Sequence, residues 1–216
     1  MKKQLTNLLA ILITLLPAAY LAIIWNSLPQ QVALHFNAQL EPERYGDKLQ
    51  LWLLTIGLAV VSMAVYFLLK NINRIDPKRK NREPGSAFEK LALGIVVFIA
   101  AMNVLVISST KNSYSFKNWI LPLIGLLFAF LGNYMITIKP NYFAGFRLPW
   151  TLSDDTNWRK THQLGGRLWF AGGILIAVVC FFLPLIAGFV FFISIMMVLV
   201  VIPIVYSYRL YKRQAL

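Results

Sequence analysis

The stretch "LWFAGGILIAVVCFFLPLIAGFVFFISIMMVLVVIPIVYSY", Leu168 to Tyr208, runs for 41 residues without a charge. As one helix at about 1.5 Å per residue it would reach about 60 Å, twice the ~30 Å hydrocarbon core of a bilayer. The window therefore folds back on itself. Pro184 breaks the hydrogen-bond ladder and Gly188 tolerates a tight turn, so Leu183–Gly188 is where the chain reverses. Outward from there, charge-free windows at Gln4–Leu40, Leu49–Leu69, Leu91–Thr110 and Asn118–Ile138 each hold one span of about 20 residues. The sequence predicts an all-α, polytopic transmembrane helix bundle of six helices. With 58% hydrophobic and 13% charged residues, the composition lies outside that of a soluble domain.

Basic residues orient the bundle. Lys2 and Lys3, the seven between Lys70 and Lys90, the five between Lys139 and Arg167, and Arg209, Lys212 and Arg213 fall on one side, leaving Arg44, Lys48, Lys111 and Lys117 for the other. The richer side is expected to be cytoplasmic, so both termini are cytoplasmic and the chain is a multi-pass protein of the inner (cytoplasmic) membrane. The same asymmetry, with attraction to anionic membrane lipids, accounts for the net charge of +13 without invoking nucleic acid. Met1-Lys2-Lys3 resembles the start of a secretory signal, but the apolar run continues to about Trp25 without a small-x-small cleavage site, so it reads as a retained anchor. Cys180 is alone in the fifth span and reads as a small core residue.

Three regions follow. Residues 1–70 form a helical hairpin around an exterior loop, 26–48; residues 71–90 form a basic cytoplasmic linker; residues 91–216 form a four-helix membrane region with a cytoplasmic loop at 139–163. In the exterior loop, the alternation of Val32, Leu34 and Phe36 predicts a short extended piece whose apolar face rests on the helices, while Glu41, Glu43 and Asp47 form an acidic patch. The linker carries turn chemistry at Pro77 and Pro84-Gly85, and the third loop, near Lys111–Lys117, is too short for a domain.

The loop "KPNYFAGFRLPWTLSDDTNWRKTHQ", Lys139 to Gln163, is the densest polar stretch of the cytoplasmic side. Pro140 ends the fourth helix, Gly145 permits a bend, and Arg147 and Trp150 flank Pro149 in an interfacial turn. Ser153 is expected to cap a short amphipathic helix with Asp154 and Asp155 in its first turn, which Gly165-Gly166 terminates before the fifth span. Trp150 and Trp158 suit the headgroup level.

Chemistry is sparse. The spans hold no Asp, Glu, Lys, Arg or His away from their ends, which argues against an ion-coupled transporter. His35 and His162 fall on opposite faces and cannot share a metal, so no metal and no cofactor is expected. No catalytic residue is assigned and the chain is not expected to be an enzyme; His162 with Asp154 or Asp155 is the residual enzymatic alternative. Gly125, Ala129 and Gly132 form one small-residue stripe, and Gly165, Gly166, Gly172 and Gly173 a second, predicting close helix packing. Asn103 and Asn133 are candidates for interhelical hydrogen bonds.

Two segments resemble a known family. Leu28-Pro29, Val32, His35-Phe36-Asn37, Pro42, Arg44, Tyr45-Gly46 and Lys48 resemble the loop of the DUF1648 membrane domain. Gly132-Asn133, Asn141, Gly145-Phe146-Arg147, Pro149-Trp150-Thr151-Leu152, Trp158, Thr161-His162 and Gly165 are similar to the signature of the SdpI family, membrane immunity proteins against sporulation-delaying-type peptide toxins. Leu40, Glu43 and Leu148 stand where that pattern has Gly, Asp and Thr. The resemblance implies protection against a secreted antibacterial peptide toxin and, in some members, recruitment of a cytoplasmic autorepressor protein by the toxin-occupied form. On that basis His35, Asn37 and Arg44 are expected to shape the exterior site, and Asn141, Arg147, Trp150, Thr151, Trp158 and His162 the cytoplasmic loop. The alternative function is a small transporter or efflux component for a peptide or lipid-like substrate.

Overall fold

A computed structural model describes residues 2–37, 39–76, 86–110 and 113–214. Among the described residues, six helices are long and apolar enough to cross a membrane, as the windows predict. They are α1 (Lys2–Ile24), α2 (Leu49–Lys70), α4 (Ser86–Ser109), α5 (Ser113–Met135), α7 (Asp155–Phe182) and α8 (Leu185–Gln214), with short helices α3 (Ile72–Ile75) and α6 (Pro149–Ser153) beside them. The chain is an all-α polytopic bundle with one small sheet. The turns expected at Pro77 and Pro84-Gly85 lie outside the described residues.

The 41-residue window does split at Pro184. Leu183 is extended, its N–H closing α7 on Val179 at 3.2 Å, and α8 begins at Leu185. Gly188 sits one turn inside α8 rather than in the turn itself, its N–H donating to the Pro184 carbonyl at 2.8 Å.

Spans α1, α2 and α4 pack on one another, α5, α7 and α8 do the same, and α4 against α5 joins the two sets. The small-residue stripes make the α5–α7 contact. A Cβ added at Gly132 would lie 2.4 Å from the Phe170 nitrogen, and one at Gly173 2.3 Å from the Ala129 nitrogen. Only hydrogen at these positions lets the two backbones touch, which is the ordinary basis of helix association in lipid. Gly165 and Gly166 belong to this seam, so the expectation that they end a short surface helix is overturned. The α7 helix runs unbroken from Asp155, and the amphipathic segment is its first turns. Asn103 accepts a hydrogen bond from Thr55 of α2 at 3.4 Å, whereas Asn133 lies on the exposed face of α5.

The loop at 26–48, expected to be exterior, contains a β-hairpin. Strand β1 (Gln31–Phe36) pairs antiparallel with β2 (Pro42–Asp47), with irregular register around His35. The predicted apolar face is real: Val32 is buried with Leu21, Leu28, Leu51 and Ile107, Leu34 packs beside them, and Phe36 stacks on Phe116 of α5 at 5.5 Å. At the other end of the bundle, Tyr66 of α2 donates to the Asn7 side chain of α1 at 2.9 Å, and Lys70 bonds the same oxygen.

Candidate functional site

The loop between α5 and α7 is built from its own polar side chains. Asn141 is fully buried: its side-chain oxygen accepts from the Phe143 and Ala144 N–H groups at 2.8 and 2.7 Å, and its amide donates to the Lys139 and Ala144 carbonyls at 2.9 and 3.1 Å. One side chain thus replaces the pairing that a helix would give those four groups. Gly145 follows with φ of 105°, a region open to glycine, and a Cβ there would lie 2.1 Å from the His162 ring.

That ring is the next fixed point. The Phe146 N–H donates to His162 Nε2 at 3.0 Å, and Nδ1 faces the Trp158 carbonyl one helical turn back at 2.8 Å. These partners assign a neutral ring with its proton on Nδ1. His162 stacks on Trp158 with ring centres 3.9 Å apart, and Trp158 in turn donates its indole N–H to the Ile138 carbonyl at 2.9 Å. Both ring nitrogens therefore serve backbone groups, which leaves neither for proton exchange with Asp154 or Asp155.

Thr151, also fully buried, closes the α6 turn: its hydroxyl donates to the Phe146 carbonyl at 2.6 Å and accepts the Leu148 N–H at 2.9 Å. Pro149 occupies the first helical position, where no N–H is needed. Trp150 is half-buried against α8, its N–H on the Ser207 hydroxyl at 2.9 Å and its ring stacked on Tyr211 at 5.9 Å. Arg147 is the exposed member, donating to the Tyr142 carbonyl at 3.0 Å.

Two sequence expectations fail here. The cap of α7 is Asp154 rather than Ser153, since its carboxylate accepts the Thr156 and Asn157 N–H groups at 2.8 and 3.0 Å. An acid is the better cap at a helix start because it also meets the dipole. Trp158 does not present its ring to the headgroups: it is 1% exposed and packs with Ile72, Phe88, Leu91 and Ile138.

That cluster joins α3 and α4 to the loop. Asp76, just past α3, reinforces the joint by accepting the Tyr142 N–H at 3.0 Å. Sequence reading overlooked Asp76, although an acid inside a basic linker is a usable signal. It also overlooked Asn157, which donates to the Ser207 carbonyl at 2.9 Å and accepts from Thr161 at 3.0 Å.

The hairpin residues are arranged differently. His35 and Arg44 are cross-strand partners, and both are exposed. A guanidinium beside the imidazole opposes a metal ion, and no group of three His, Cys, Asp or Glu gathers to hold one among the described residues. Asn37 turns inward on the hairpin, its side chain accepting the Gln39 and Glu41 N–H groups at 3.0 and 2.8 Å. Leu40 takes a positive φ of 54°, at the position where the resemblance leads to an expectation of Gly.

Comparison with known proteins matches residues 137–207 to the SdpI/YfhL protein family and residues 12–67 to the DUF1648 domain of unknown function. Over the first of these segments the chain is similar to the SdpI/YfhL family. It is 28% identical to the Immunity protein SdpI of Bacillus subtilis (strain 168) over 219 aligned positions, covering 96% of each chain. No solved structure matches it. The family segment begins one residue before Ile138, whose carbonyl receives the Trp158 N–H, and includes the buried loop and Ser207 of α8. The DUF1648 segment includes the hairpin.

Proposed function

We propose that this chain is a membrane immunity protein that protects the cell whose inner (cytoplasmic) membrane it occupies from a secreted antibacterial peptide. The supporting observation is the end-to-end match to a relative named as an immunity protein, which takes in both the hairpin and the buried loop. The positive-inside rule orients the bundle, with the loop at 139–163 and both termini in the cytoplasm and the hairpin outside. In this reading the toxin meets the hairpin and the upper bundle, where His35, Asn37 and Arg44 supply the polar contacts. Arg147 is the part of the inner loop free to engage a cytoplasmic repressor protein. Coupling between the faces requires the toxin to bind one packing of the helices better than another.

The test is survival. A toxin-sensitive bacterium expressing the chain is challenged with a sporulation-delaying-type peptide, beside cells carrying Arg147→Ala at matched membrane abundance. Protection by the natural chain is the expected result, and its absence at confirmed expression would refute the proposal. Loss of protection with Arg147→Ala would place function on the loop's exposed face. Full protection by that variant would limit Arg147 to anchoring.

A further inference from the structure

Between α4 and α5 the bundle has a groove that opens sideways. Its cavity is about 580 Å³, within the 300–1,000 Å³ range of small-molecule sites, and its lining is apolar apart from one end. The α4 wall carries Lys90, Gly94, Val97 and Ala101, and the α5 wall carries Leu123, Leu127, Phe130 and Tyr134. Both sets follow the spacing i, i+4, i+7, i+11, so each forms one stripe along its helix. Eleven residues of helix rise about 16 Å, the depth of one leaflet of a ~30 Å hydrocarbon core.

The two polar lining groups, the Lys90 ammonium and the Tyr134 hydroxyl, lie at the same end, the end that bears the basic loops. Gly94 keeps the floor smooth, since the Phe130 ring occupies the space its side chain would need. Glu89, the nearest acid in sequence, lies within electrostatic reach of Tyr66 of α2, which packs on Ala92 and Val96 of α4, outside the groove stripe. Glu89 Oε1 is buried without a hydrogen-bond partner among the described residues. The next groove, lined by Ile13, Leu16, Val104, Trp119 and their neighbours, has comparable volume and no cation.

We propose that the α4–α5 groove binds one acyl chain of an anionic phospholipid from the basic-side leaflet, with the headgroup phosphate at Lys90 and Tyr134. The apolar stripes supply depth and contact area. Lys90 supplies the charge preference, because an ammonium at the mouth of a low-dielectric groove is better satisfied by a net-anionic headgroup than by a zwitterionic one.

The experiment is native mass spectrometry of the full chain in mild detergent, titrated separately with phosphatidylglycerol, phosphatidylcholine of the same chain length, and soluble glycerol phosphate. One phosphatidylglycerol per chain is expected to be retained, at least tenfold more readily than phosphatidylcholine, with no retention of glycerol phosphate. Lys90→Gln is expected to erase the tenfold preference, and Leu127→Trp, which fills this groove but not its neighbour, to reduce retention of both lipids. Equal retention of the two lipids by the natural chain would overturn the proposal. So would a preference that survives Lys90→Gln, retention of glycerol phosphate alone, or a co-purifying peptide in place of lipid.

Discussion

The hairpin between α1 and α2 and the loop between α5 and α7 are both polar interruptions in an apolar chain, and they are held in opposite ways. The hairpin is fastened by apolar side chains: Val32 and Phe36 seat it on the helices, while His35 and Arg44 face water. The α5–α7 loop is fastened by polar ones: Asn141, Thr151 and His162 are buried and spend their hydrogen bonds on backbone, and Arg147 alone of its expected site residues is exposed. The hairpin motif residues His35 and Arg44 are therefore available to a partner, whereas most motif residues in the loop are its scaffold. Loss of function from substitution at His35 or Arg44 reports contact. Loss from a loop substitution reports contact only where stability is unchanged.

The contrast breaks most sharply at Gly145. Valine there must adopt φ near 105° and place a Cβ into the His162 ring, so Gly145→Val should release the Phe146–His162 contact. A loss of about 3–5 kcal/mol is expected from strain, steric conflict and the freed N–H together, read by thermal unfolding in detergent. An unchanged melting temperature would mean that the loop is not clasped onto α7. Asn141→Ala should come next, at about 2–4 kcal/mol, because two N–H groups lose the acceptor that the buried Asn141 side chain supplies. Hydrogen exchange at Phe143 and Ala144 checks it, and protection equal to that of the natural chain would show another acceptor at work.

Much of this was legible in advance, and the limit has a physical form. Helix number, the break at Pro184 and the small-residue seam follow from length and spacing, since a bilayer fixes the first and backbone approach the second. Burial inside the loop was not legible. A Trp beside a membrane serves equally well as interfacial anchor or as core, and only the position of Ile72 and Phe88, distant in sequence, makes Trp158 core. Gly165-Gly166 was misread for a related reason: a glycine pair at a helix end and one inside a helix seam look alike until the opposing Gly132 is placed. Leu40 was legible as a departure from the family pattern, and its positive φ gives that departure a structural meaning.

Leu40 also supplies the third comparison. A leucine in the left-handed region is strained by roughly 1–2 kcal/mol. Leu40→Gly should therefore stabilise the hairpin by about 1 kcal/mol, since glycine gives back part of the gain as unfolded-chain entropy. Slower hydrogen exchange across the Asn37–Glu41 turn is the readout. Faster exchange would mean that the Leu40 side chain contributes packing worth more than its strain.

The smallest stability change is expected where the functional claim is strongest. His35→Ala with Arg44→Ala removes two exposed side chains from a hairpin whose seat lies on its other face, so stability should move by no more than about 0.5 kcal/mol. If these residues contact the toxin, protection falls while the melting temperature holds. That pair of results separates the hairpin from the loop, because Asn141→Ala must lose both together. If the double variant melts early, the His35–Arg44 pair stiffens the irregular register around it, and the hairpin depends on polar side chains as the loop does. If it melts normally and protects normally, the toxin contact moves off the hairpin, and the upper ends of the spans become the surface to test.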